Sequence, residues 1–232
     1  MKKNPQAKAP ARPPLEFGFF LAGCILSFLL VIELASELFF SLHPSARIFL
    51  VLAVCLSFYI AAFLYANRTG QIKWLRRVQI VLFVIYLLCL ADITLIGSSV
   101  GRLHFSGTRN DYLELFVNFR PLDTIKKYLI GFQNGYFSLW RFSLNLLGNL
   151  LLLAPLSLFL PILFRCERKW YFFLPTVLVA SCIVEALQYL LMAGSCDIDD
   201  LILNFLGAAA LFFLWKIPPL RRLIRVITKS EF

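Results

Sequence analysis

The sequence predicts an all-α fold: a polytopic integral membrane helical bundle of about six transmembrane helices, with both termini cytoplasmic. Three observations predict it. Hydrophobic residues make up 60% of the 232-residue chain, where soluble domains hold about 45–50%; mean hydropathy is +0.78. The apolar residues gather in six runs, each near the roughly 20 residues that cross about 30 Å of hydrocarbon. Lysine and arginine cluster in alternate connections between the runs. Runs of this kind form helices, because in hydrocarbon each backbone group must find its partner within the same segment.

The elements follow in order. Residues 1–16, MKKNPQAKAPARPPLE, are basic and proline-rich; they build no core and read as a disordered tail. The run Phe17–Phe40 is longer than a signal-peptide core and carries Glu33 and Glu37, so it reads as an uncleaved first span. With Arg47–Ala66 it forms an N-terminal pair, residues 17–77. Val78–Val100, Phe142–Phe164, Trp170–Ala193 and Asp199–Ile217 complete the six and make up a core over 78–217, with a long loop at 101–141. Pro155 and Pro161 lie late in the fourth span and predict a bend there. Residues 218–232 are a basic tail.

The bases orient the chain. Lys2, Lys3, Lys8 and Arg12 lie in the first tail, and Arg68, Lys73, Arg76 and Arg77 in the second connection. Arg165, Arg168 and Lys169 lie in the fourth, and Arg221, Arg222, Arg225 and Lys229 in the last tail. With six spans all these segments share one side, the cytoplasm. The net charge of +10 therefore reads as an orientation signal, and no nucleic-acid partner is expected. The six cysteines include no CxxC pair, and those inside apolar runs read as small packing residues.

The loop 101–141 and the turn at 194–198 then face outward. Placed at about 1.5 Å per residue, Asn149, Glu185 and Asn204 fall in one layer on the outward half, with Asp92 and Glu33. Asn145, Gln188 and Glu37 lie further out. Helical spacing puts Asp197, Asp200, Asn204 and Gly207 on one face, with Gly207 and Ala208 allowing close approach of another helix. A charged carboxylate facing lipid would cost about 2.5–3.5 kcal/mol, so the polar stripes are expected to face one another. Two readings of Asp197, Asp199 and Asp200 stay open: caps for the helix they begin, or the rim of an outward polar pocket. The amides can likewise bond between helices or line that pocket. In the loop, FVNFRPLDTIKKYL mixes apolar and basic residues in the manner of an interfacial segment.

Four stretches occur in order: NFRPLDTI at 118–125, NLLGNLLLLAPLSLFLP at 145–161, EALQ at 185–188 and DIDDLILNFLGA at 197–208. Together they resemble the VanZ-like family of bacterial membrane proteins over about residues 80–215. By position the resemblance carries over Asn118, Pro121, Thr124, Asn145, Asn149, Pro155, Glu185, Gln188, Asp197, Asp199, Asp200, Asn204 and Gly207. Leu153 and Ser157 stand where the family has phenylalanine and glycine. Ser195 and Cys196 stand where an arginine often precedes the acidic turn, leaving Arg120 or Arg141 as its replacement. The family is named for a protein that confers low-level resistance to teicoplanin, a lipidated glycopeptide. The resemblance thus implies a protein of the bacterial plasma membrane with a link to the cell envelope or to antibiotic tolerance of the teicoplanin type.

The expected function is an outward polar pocket that binds a lipid-linked ligand, a lipoglycopeptide or a cell-wall precursor. Its residues would be Glu185, Gln188, Asp197, Asp199, Asp200, Asn204, Asn145, Asn149, Asn118 and Arg120. The alternatives are an enzyme acting on a membrane lipid, with Mg²⁺ or Ca²⁺ held by Asp197, Asp199, Asp200 and Glu185, and a small proton-coupled transporter in which Glu185 titrates. The sequence holds no phosphate-cradling glycine loop and no established metalloenzyme motif, so it assigns no catalytic residue, metal or cofactor.

Overall fold

The computed structural model describes residues 14–35, 44–96, 107–136 and 138–231. The chain divides into two compact units, one through Gln79 and one from Ile80 onward.

In the first unit α1 (Leu15–Ala35) and α2 (Pro44–Thr69) pack against each other. Gly23 makes this possible: a Cβ there would lie 3.1 Å from the Phe58 ring. Glu16 and Arg68 close the pair at one end with a 2.5 Å ion pair. Gly70, with φ of +73°, turns the chain into α3 (Ile72–Ala91). Leu75 of that helix is fully buried beside Ala62 and Ala66 of α2. The expected tail at residues 1–13 and Glu37 lie outside the described residues, as does the side chain of Glu33.

In the second unit α3 continues through a π turn, Asp92–Ile96. The long loop holds α4 (Arg109–Phe116), a two-residue strand β1 (Val117–Asn118) and α5 (Asp123–Gln133). Then come α6 (Leu139–Leu152), α7 (Leu156–Leu163), α8 (Trp170–Leu191), β2 (Cys196–Asp197), α9 (Ile198–Leu214) and α10 (Pro218–Thr228). The core gathers Leu153, Leu156, Leu160, Val177 and Ala208 around Phe173 and Phe212, whose rings stack at 4.2 Å. Leu147, Val179, Ile183 and Leu190 are exposed, as expected where the surrounding solvent is lipid.

The fourth expected span is two helices. Pro155 has no N–H to offer, so the chain breaks over Leu153–Pro155 and α7 starts anew. The carbonyl of Leu152 accepts instead from the Tyr86 hydroxyl, at 2.9 Å. The expected close approach at Gly207 is present and severe. A Cβ there would lie 1.7 Å from the Leu150 carbonyl oxygen of α6, so α6 and α9 touch backbone to side of helix with no room for a methyl group. Gly148 has open space instead.

Among the described residues four helical stretches are long and apolar enough to cross a membrane: Leu50–Thr69, Ile72–Leu95, Asn145–Leu163, which takes α6 and α7 together, and Trp170–Leu191. The difference from six arises near the two ends. The apolar stretch described in α1 is only Leu15–Leu29, and α9 joins α10 across a 91° bend, so this pair makes a fifth span only if bent helices are taken together.

Candidate functional site

The site begins with a problem of helix ends. The first N–H groups of any helix lack partners within it, and in a membrane protein water cannot always supply them. At the start of α5, Pro121 sits in a tight turn and Leu122 is left-handed, with φ of +67° and ψ of +6°. This is the form of a type II turn with leucine at the position that favours glycine. Leu122 has no polar side chain with which to cap the helix.

Asp199, at the start of α9, supplies the cap from across the chain. Its carboxylate is fully buried. It accepts from the N–H groups of Leu122 at 2.5 Å, Thr124 at 2.9 Å and Ile125 at 3.1 Å. One negative charge therefore meets three amides at the positive end of α5, where helix dipole and hydrogen bonding favour it together.

Asp197 caps its own helix, accepting from Asp199 N–H at 2.9 Å. It also accepts from the Thr124 hydroxyl at 2.5 Å and from the Asn118 amide at 3.3 Å. Asn118 in turn donates to Thr124 Oγ1 at 3.0 Å and accepts from Arg120 N–H at 3.0 Å. Two parallel strand pairings, Val117 with Cys196 and Asn118 with Asp197, align the segments. The loop helix α5 is thus clipped onto the N-terminal end of α9.

Asp200 faces α6, where it accepts from Asn149. Glu185 of α8 accepts from Asp197 N–H at 3.0 Å. The thiol of Cys196 lies among these acids. It is pushed up to about 11, by burial first and then by the charges of Glu185, Asp197 and Asp200. Such a thiol stays protonated near neutral pH and is a poor nucleophile.

The other expected residues are placed differently. Asn145 donates to Tyr128, tying α6 to α5. Gln188 donates to the Thr94 carbonyl at 3.2 Å, and its own carbonyl accepts from the buried Tyr112 hydroxyl at 3.1 Å. Asn204 is buried on the Asp200–Gly207 face, and its side-chain oxygen has no hydrogen-bond partner. Arg120 reaches the cluster only through its backbone; its side chain is exposed. The side chain of Arg141 is not among those described. Among the described residues no group of three or more His, Cys, Asp or Glu is arranged to hold a metal ion. The physical reason is visible at Asp197 and Asp199, whose oxygens are occupied by N–H and O–H donors.

Tyr112, Tyr128 and Thr94 escape sequence reasoning as site residues, for no local pattern marks a tyrosine that bonds 17 or 76 residues away. Thr124 is marked only by the NFRPLDTI stretch.

Fold and site together define an all-α membrane protein in which an acidic helix start clips a loop helix onto the bundle. The family model described as VanZ/LLP1 matches residues 83–221, and the chain belongs to this family. That range contains the whole clip, and the family's name suggests a link to glycopeptide resistance. Neither the curated proteins nor the solved structures contain a match.

Proposed function

We propose that the chain is a multi-pass plasma-membrane protein with cytoplasmic termini, and that the cluster at the α8–α9 turn faces outward. There it receives the polar head group of a lipid-linked ligand, a lipoglycopeptide or a lipid-linked cell-wall precursor, and so contributes to teicoplanin-type tolerance.

The observation that carries this reading is a surplus of polar atoms beneath the clip. Asp197 and Asp199 are consumed in capping. Glu185, almost fully buried, accepts one hydrogen bond, and Asn204 keeps a buried oxygen with none. Burying such atoms opposes stability by about 1–3 kcal/mol each, and intramembrane acids are by default functional. A ligand head group bearing N–H or O–H donors would satisfy them. Exposed Leu147 and Leu151 on α6 and Leu190 and Leu191 on α8 offer apolar surface for an acyl chain.

Glu185→Gln and Asp200→Asn test it in a susceptible host that lacks other glycopeptide resistance. Teicoplanin tolerance is expected to disappear in both while membrane abundance stays at the wild-type level. Full tolerance in both variants would sink the proposal. Equal protection by the wild-type protein against vancomycin, which has no lipid tail, would remove the acyl-chain part.

A further inference from the structure

We propose that α10 lies along the membrane surface at the end opposite the clip and binds the head groups of anionic phospholipids. The helix is set up for this by the bend before it. α9 runs 17 residues, about 25 Å, and ends in a turn closed by Lys216 N–H to Phe213 O and Ile217 N–H to Leu214 O. Pro218 and Pro219 then start α10, which leaves at 91°. In this proposal α9 alone stands across the bilayer, and a helix at a right angle to it then lies in the membrane plane.

The two faces of α10 match such a position. At 100° per residue, Leu220, Leu223, Ile224 and Ile227 fall within about 100° of arc, and Arg221, Arg222 and Arg225 fill the opposite arc. The protein itself covers only part of the apolar face. Ile224 is buried against Ile162 and Leu163 of α7, while Leu223 is 54% and Ile227 37% exposed. Uncovered apolar side chains on one flank of an arginine face fit the head-group boundary, with acyl chains below and phosphates beside the guanidinium groups.

Charge selects the lipid. Residues 165–169 and 216–231, which meet at this end, hold eight lysines and arginines against two acids, Glu167 and Glu231. Glu167 accepts from the Thr176 hydroxyl, and Glu231 lies 3.8 Å from Arg168. Trp170 and Tyr171, both exposed, begin α8 at the same end, as aromatic residues do at membrane interfaces. The excess positive charge complements phosphatidylglycerol or another anionic lipid and has no comparable attraction for zwitterionic phosphatidylcholine.

The test uses the full chain in vesicles of phosphatidylcholine with and without phosphatidylglycerol. A fluorophore is attached at Leu223→Cys or at Arg222→Cys, with the native exposed cysteines changed to serine. Lipid-borne quenchers are expected to quench the first position and water-borne quenchers the second. On purification the wild-type protein retains phosphatidylglycerol. The triple change of Arg221, Arg222 and Arg225 to glutamine is expected to lower that retention roughly tenfold or more; the same three changed to lysine is expected to keep it and serves as the folding control. Equal water exposure at both labels overturns the proposal. So does equal retention of the two lipids, displacement of the lipid by millimolar inorganic phosphate, or protection of Leu223 by a second copy of the chain in detergent.

Discussion

At one end of α9, the carboxylates of Asp197 and Asp199 are turned into the protein and surrounded by N–H and O–H donors. At the other, Arg222 and its neighbours stand on the exposed side of α10. The same short stretch of chain thus handles charge in two ways. The buried acids stabilise because each oxygen replaces water with oriented donors, two of them at a helix start. Exposed Arg222 adds little to folding, and its effect is felt by whatever approaches that surface. A buried charge commits the protein to one geometry, whereas an exposed charge leaves it free to bind.

The comparison is tested first at Asp199. Asp199→Ala removes the acceptor of three backbone N–H groups and leaves Leu122 in a strained left-handed conformation. A loss of roughly 3 kcal/mol is expected. It would be read as a lower melting temperature in detergent, with faster tryptic cleavage at Lys126 and Lys127 as α5 comes loose. Unchanged melting and cleavage would mean that the clip contributes nothing. A smaller effect is expected one residue on. Asn149→Ala breaks the bond between α6 and Asp200, and hydrogen bonds between membrane helices are worth about 0.6–1.7 kcal/mol; an effect larger than that of Asp199→Ala would invert the ranking. The smallest belongs to the basic end. Arg222→Gln should leave detergent stability within about 0.5 kcal/mol of wild type, and a larger loss would show that the base is structural after all.

Much of the architecture was legible in the residues. The apolar runs at 47–66, 78–100, 142–164 and 170–193 correspond to helices that cross a membrane by length and composition. The place of the break at Pro155 and of the close crossing at Gly207 also followed from residue type, since proline lacks a donor and glycine lacks a Cβ. The acidic turn was legible as a helix start, and Asp197 caps α9 as its type predicts. What escaped was the partner of each group. Asp199 looks like a cap for α9, its own helix, yet it caps α5, 74–77 residues earlier. The helices α4 and α5 are too short and too mixed in composition to stand out from a loop.

By itself the sequence determined what depends on neighbours along the chain: helices from apolar runs, breaks from proline and contact points from glycine. The tertiary structure alone decided which acid meets which amide, that two aspartates are consumed by the clip while Glu185 and Asn204 remain under-bonded, and that α10 turns through a right angle. The reason is physical. Periodicity and propensity act over a few residues, whereas a hydrogen bond is chosen by whatever donor folding brings within about 3 Å, however far away it lies in the chain.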